Sequence, residues 1–220
     1  MSKHIGDPGV YIRSLASRGN VGGLAAAVPA SIRALAAARY DWIVIETVGV
    51  GQNEVAVAAF ADTTVVVSAP GLGDSLQAEK AGVLEIADIM VVNKADRLDA
   101  KDTVRDISAS LRLVPTPAHG WRVPVVPTQA DAGGGISELR AVLDQHHAFL
   151  IKSGEFAQRR RRRRVAEWET RARQIARQQV DAALRDGRLR ALVADGELSP
   201  ELAALKLMEH LHDADRTTQH

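Results

Sequence analysis

Four consecutive residues, Asn93-Lys94-Ala95-Asp96, carry the sharpest chemistry in this chain. They follow directly on the apolar run Ile89–Val92, so they belong to a loop at the end of a strand. A carboxylate at the fourth position can accept two hydrogen bonds from guanine, one from its ring N–H and one from its amino group. Adenine presents no such pair on that edge, and a mismatched buried carboxylate would lose its partners. Asp96 is therefore the candidate base reader, with Asn93 and Lys94 shaping its pocket. The same four residues also fit a polar helix cap after a strand, and four letters do not separate the two readings.

A second signal is Ile45-Glu46-Thr47-Val48-Gly49-Val50-Gly51-Gln52. An acidic residue at the tip of a buried strand, followed by glycines, is the layout of a segment that senses Mg²⁺ and a γ-phosphate. Glu46 would orient the metal directly or through its bound water. Gly49 lets a backbone N–H approach phosphate without a side chain in the way, and Gln52 can orient water. An ordinary Gly-rich strand-to-helix turn has the same composition. The third signal, Thr128-Gln129-Ala130-Asp131, follows Val123–Val126 and precedes Gly133–Gly135. There a backbone N–H near Ala130 can meet the guanine carbonyl oxygen. Its order behind the other two motifs is what gives it weight.

These loops need a scaffold. Trp42–Ile45, Thr64–Val67, Ile89–Val92 and Val123–Val126 are Val/Ile-rich and nearly continuous, the pattern of strands buried on both faces of a parallel sheet. Helical stretches are predicted over 23–38, 74–86, 102–112 and 135–150. Strand and helix in alternation give an α/β fold with a mostly parallel, doubly wound sheet, in which ligands bind at the carboxyl ends of the strands. From about 151 the chain turns rich in Arg, Ala, Glu, Gln and Leu, with no strand-like run. It reads as a helix over Glu155–Leu184, a shorter one over Leu189–Val193, and a last one to about His212. Ser199 caps that last helix, with Pro200 in its first position. The expected division is 1–150 for the sheet domain and 151–220 for a helical extension.

Several stretches together resemble one family. They are Tyr11-Ile12-Arg13-Ser14, Arg18-Gly19-Asn20-Val21-Gly22-Gly23, ETVGVGQNE (46–54), Gly73-Asp74-Ser75-Leu76-Gln77 and NKAD (93–96). They are similar to the methylmalonyl-CoA-mutase-associated GTPases of the MeaB/ArgK type, formerly labelled LAO/AO transport ATPases. The resemblance covers nearly the whole chain and implies a P-loop GTPase sheet that binds GTP/GDP and Mg²⁺. It implies a chaperone of a cobalamin-dependent methylmalonyl-CoA mutase that gates adenosylcobalamin delivery and protects the mutase. It also implies a homodimer formed through the C-terminal helical extension. By carry-over, 11–23 match switch I, 46–54 switch II, and 71–80 a third switch containing Asp74, Gln77 and Lys80.

One departure from the family is large. No G-x-x-x-x-G-K-S/T occurs in the 220 residues, so the phosphate cradle, its lysine and its metal-binding hydroxyl have no counterpart. The resemblance places Met1 inside switch I. The expectations are therefore a chain truncated at its front, a P-loop encoded upstream in the same frame, and no independent GTP hydrolysis. The rival readings are a non-catalytic partner-binding protein that keeps the dimer and switch surfaces, and an Arg-rich nucleic-acid binder.

Composition narrows the rest. Lys and Arg number 28 against 27 Asp and Glu, a net charge of +1 that supplies no global field for nucleic acid or anionic membrane. Cysteine is absent, which excludes disulfides and thiolate metal sites and fits a reducing compartment. No apolar run reaches the roughly 20 residues that span a bilayer, and MSKHIGDPGVYIRS has no signal-peptide pattern. A cytoplasmic location without membrane contact is expected. The run Arg159–Arg164 reads as the solvated face of a long helix balanced by Glu155, Glu167 and Glu169. The pairs His146-His147 and His210/His212 lack metal-ligand spacing.

Overall fold

The computed structural model describes residues 4, 6–15, 23–47, 59–71, 84–113, 120–185 and 187–217. Its centre is the apolar run expected to be doubly buried. Strand β2 (Ile89–Val92) is buried at every position and lies between β1 (Val65–Ser68) and β3 (Val125–Pro127) in the order β1-β2-β3. Both pairings are parallel, with Val66 opposite Met90 and Met90 opposite Val125.

Alternation along β2 sends successive side chains into two separate cores. Met90 and Val92 join Ala87 and Ile107, with Val104 and Leu111 packed against them. These last come from helix α2 (Ala100–Leu113), whose apolar positions recur at three- and four-residue steps. Ile89 and Val91 join Val126 on the opposite face, against Leu139, Val142 and Leu143 of helix α3 (Ile136–Ser153). Helices thus cover both faces of a parallel sheet, as the α/β expectation required. Helix α1 (Gly23–Ala37) precedes them and carries Pro29 in its interior.

The expected strand Trp42–Ile45 is a correction. Residues 42–47 take no regular structure, Val44 is 85% exposed, and the Trp42 ring lies under Arg140 at 4.4 Å. A Val/Ile run becomes a strand only with a neighbour to complete its ladder, and no strand among the described residues pairs with it. Of the other expected strands, Ile89–Val92 is as read, Thr64–Val67 moves one residue to Val65–Ser68, and Val123–Val126 moves to Val125–Pro127. Of the helix expected at 74–86, only 84–86 are described, and they are helical.

Beyond Gly154, which caps α3 at φ 79° and donates to the Ile151 carbonyl, lie α4 (Glu155–Ala183), α5 (Gly187–Ala194) and α6 (Pro200–Thr217). Ser199 Oγ accepts the Leu202 N–H at 3.2 Å, the expected cap. The chain forms two compact units, Met1–Val165 and Ala166–His220, so the first part of α4 belongs with the sheet. Among the described residues no helix is long and apolar enough to cross a membrane.

Candidate functional site

The polar loops after β2 and β3 meet at the carboxyl end of the sheet. The ladder continues one residue past each strand: Asn93 N–H donates to the Ser68 carbonyl at 2.8 Å, Thr128 N–H to Val92 at 2.8 Å, and Ala95 N–H to Thr128 at 2.9 Å. On this frame the Asn93 side chain acts as a strut. Its Oδ1 accepts the Ala130 N–H at 3.1 Å and the Thr128 hydroxyl at 3.2 Å. An amide N–H can only donate, so the oxygen of Asn93 faces the 128–131 loop, and its two N–H donors are turned away from that loop.

Lys94 follows at φ 58°, a left-handed conformation unusual for a side-chain-bearing residue and worth about 1 kcal/mol or more of strain. It produces a sharp turn in which the Lys94 carbonyl accepts the Arg97 N–H at 3.1 Å. Asp96, at the turn, is exposed. Arg97 and Asp99 pair at 3.3 Å, both about half exposed; a pair so open to water contributes little to stability.

The second loop is closed on itself. Gln129 and Gly134 exchange backbone hydrogen bonds at 2.8 and 3.0 Å, and Asp131 Oδ1 accepts the Ala132 N–H at 2.9 Å. Gly135 sits at φ 71°, where a Cβ would lie 2.2 Å from the Pro127 carbonyl oxygen. Only glycine fits between the end of β3 and the start of α3.

Asn93, Lys94, Asp96, Gln129, Ala130 and Asp131 are therefore brought together. The Ala130 amide, however, is committed to Asn93, so a guanine carbonyl would have to meet a neighbouring amide. Glu46 is exposed in the unpaired 42–47 stretch. Gly49, Gln52, Asp74, Gln77 and Lys80 lie outside the described residues. Among the described residues no three His, Asp or Glu side chains cluster as a metal site.

A second polar cluster lies at the opposite, amino end of β2, and the sequence did not announce it. Asp88, 6% exposed, accepts the Thr64 N–H at 2.8 Å and both terminal nitrogens of Arg159 at 2.8 Å. His146, fully buried, hydrogen-bonds Thr63 Oγ1 through Nδ1 at 2.8 Å and turns Nε2 to 3.4 Å from Asp88 Oδ1. Trp121 Nε1 donates to the Asp88 carbonyl at 2.8 Å, and its ring packs at a tilt against His146, centroids 4.7 Å apart. Burial alone would raise the Asp88 carboxyl, but contact with His146, the Arg159 fork and the Thr64 amide hold it down at about 2. Arg163 pairs with Asp62 on the same side of α4. Two of the six arginines in the 159–164 run are thus anchors, a correction to their reading as a solvated face. Their four-residue spacing was the available clue. Thr63, His146 and Asp88 are connected in the order of a catalytic relay, but the imidazole is sealed in and the carboxylate is saturated. The cluster fastens α4 to the sheet.

Residues 1–185 match a protein-family model described as methylmalonyl Co-A mutase-associated GTPase MeaB. A Pyrococcus abyssi protein carrying a GTPase name is 41% identical over 216 residues, which cover 96% of this chain and 67% of that protein. The mouse methylmalonic aciduria type A homolog, mitochondrial, is 34% identical over 157 residues, 70% of this chain and 38% of its own. The crystal structure of an LAO/AO transport system kinase superposes with a TM-score of 0.61 at 24% identity, over 86% of this chain and 64% of that one. The last likeness shows the fold. The chain spans about two thirds of the length of the P. abyssi relative.

Proposed function

Because the chain belongs to the family of methylmalonyl-CoA-mutase-associated GTPases of the MeaB type, we propose that it binds a guanine nucleotide at the carboxyl end of its sheet and serves a cobalamin-dependent methylmalonyl-CoA mutase as a chaperone gating adenosylcobalamin delivery. The Asn93 strut carries this reading. By tying the Asn93–Asp96 loop to the 128–131 loop, it fixes the spacing of the two loops between which the base would sit. Asp96 accepts the guanine N–H and amino donors, and Lys94 shapes the base pocket. The cost of an unpaired carboxylate rejects adenine.

The residues fit the base and not the phosphates. The 220 residues contain no G-x-x-x-x-G-K-S/T, and the described residues hold no cluster of metal-binding side chains. Glu46 remains the proposed Mg²⁺ residue by family likeness, and Gly49 and Gln52 keep their proposed roles toward γ-phosphate and water on the same ground. No hydrolytic step is assigned to this set. Homodimerisation through the helical extension is part of the proposal. Along α4, Val165, Trp168 and Ile175 are 49%, 67% and 43% exposed at helical spacing. The nucleic-acid reading loses support because Arg159 and Arg163 are occupied by Asp88 and Asp62.

Titration with fluorescent GDP, ADP and XDP tests the base reading. GDP should bind in preference to ADP. Asp96→Asn should weaken GDP and strengthen XDP, because an amide presents a donor where xanthine carries a carbonyl. Equal binding of GDP and ADP by the unmodified chain, or binding of neither, would remove the assignment.

A further inference from the structure

Two buried hydroxyl-bearing residues bond Asn93, Thr128 through its side chain and Ser68 through its backbone. Thr128, 3% exposed, uses its hydroxyl on Asn93 Oδ1 at 3.2 Å. Ser68, 5% exposed at the carboxyl end of β1, gives its carbonyl to the Asn93 N–H at 2.8 Å. The Ser68 hydroxyl has no hydrogen-bond partner among the described residues. Helical serines in this chain fall back on the carbonyl four residues earlier, as Ser108 does on Val104 at 2.6 Å and Ser153 on Phe149 at 2.8 Å. A strand offers no such carbonyl, because its own backbone groups face sideways into the ladder. A buried donor without a partner is destabilising, and β1 is otherwise valine, so an apolar residue would suit this position better for stability alone.

The position of Ser68 suggests its use. It is bonded through its backbone to the residue that holds the base-reading loop, at the end of the sheet where ligands of α/β folds bind. We propose that Ser68 is a positioning residue of the guanine-nucleotide site, whose hydroxyl gains a hydrogen bond when nucleotide binding resettles the carboxyl ends of β1 and β2. The inference rests on the guanine-binding reading above. Ser68 does not touch the nucleotide in this account. It acts through the bond between its carbonyl and Asn93, so that satisfying its hydroxyl favours the arrangement in which Asn93 and Asp96 hold the base.

The test uses the full chain with Ser68→Ala, Ser68→Cys and Ser68→Thr, and Asp96→Asn as the base-reading control. Fluorescent-GDP titration and nucleotide-free thermal melts are read on each. Ser68→Ala should weaken GDP binding roughly tenfold, equivalent to about 1.4 kcal/mol, while its nucleotide-free melting temperature stays level or rises. Cys, a weaker donor of similar size, should fall between, and Thr should restore binding. The Cys variant carries the comparison if the extra methyl of Thr prevents folding. Ser68→Ala binding GDP as well as the unmodified chain, while Asp96→Asn loses it, overturns this proposal and leaves the guanine site standing. A nucleotide-free melting temperature lowered by Ser68→Ala shows a hydroxyl already partnered and also overturns it. A chain that binds neither GDP nor guanosine removes the guanine reading and this inference together.

Discussion

Replacing Asp88 with Asn should destabilise the first unit by about 3 kcal/mol at neutral pH, at the lower edge of what breaking a buried ion pair does. The side chains of Asp88 and Arg159 are 9% and 21% exposed and share a two-pronged contact at 2.8 Å. The amide would keep one acceptor for the Thr64 N–H but would leave the guanidinium without its counter-charge. Arg159 would retain the Asp62 carbonyl at 2.8 Å and Glu155 at 3.9 Å, which is why the lower edge applies. Proton linkage gives an independent figure. The carboxyl is held down from 3.8 to about 2, which corresponds to about 2 kcal/mol of stability at neutral pH. The sign follows from the lowered value: this stability is fully present above pH 3.8 and is lost as the pH falls toward 2. Urea unfolding followed by tryptophan fluorescence, from pH 7 down to pH 2, should show the gap between native chain and variant closing below about pH 4. A double-mutant cycle with Arg159→Met should return a coupling of about 2 kcal/mol. A gap under about 1 kcal/mol at pH 7, or one that does not narrow in acid, would refute the reasoning.

Gly135→Ala should cost about 3 kcal/mol or more in a urea titration, because its Cβ would meet the Pro127 backbone and φ is positive. It should weaken GDP binding by displacing the 128–131 loop. Thr128→Val keeps the volume and deletes the hydroxyl bond to Asn93, so a loss of about 1 kcal/mol in unfolding free energy is expected. A loss of GDP affinity should accompany it. Trp168→Glu, on an exposed position, should leave the melting temperature nearly unchanged and shift a dimer to monomer in light scattering at micromolar concentration. An unchanged mass would count against the helical stripe as the dimer contact.

The parts of this structure legible in the sequence are those whose causes are local. Ile89–Val92 reads directly as a strand because an unbroken apolar run is what burial on both faces demands, and it is buried throughout. The same signal at Trp42–Ile45 did not yield a strand, since composition reports a tendency to be covered while a ladder requires a second chain segment. Asn93–Asp96 stood out because it is contiguous. The bond that gives it shape spans 37 residues to Ala130 and left no mark in spacing or composition. Asp88 was illegible for a similar reason. Its fork partner lies 71 residues away, inside a run of six arginines that looked like surface. His146 read as an ordinary helical residue, and it is packed at full burial between Thr63 and Trp121.

Strand β2 has its length fixed from both sides. Asp88 is bound at one end and Asn93 at the other, with four residues between them that span roughly 13 Å at the usual rise. Adding or deleting a single codon here would do more than shift one anchor. It would exchange the parity of everything beyond it, sending Met90 and Val92 toward α3 and Ile89 and Val91 toward α2, two cores of different shape. It would also pull either the salt-bridged end or the base-reading end out of place. Length variation in relatives should therefore accumulate in the connections and spare this segment. The strand is thus built as a ruler: residues of like size could replace its own, but their number could not change without moving an anchor.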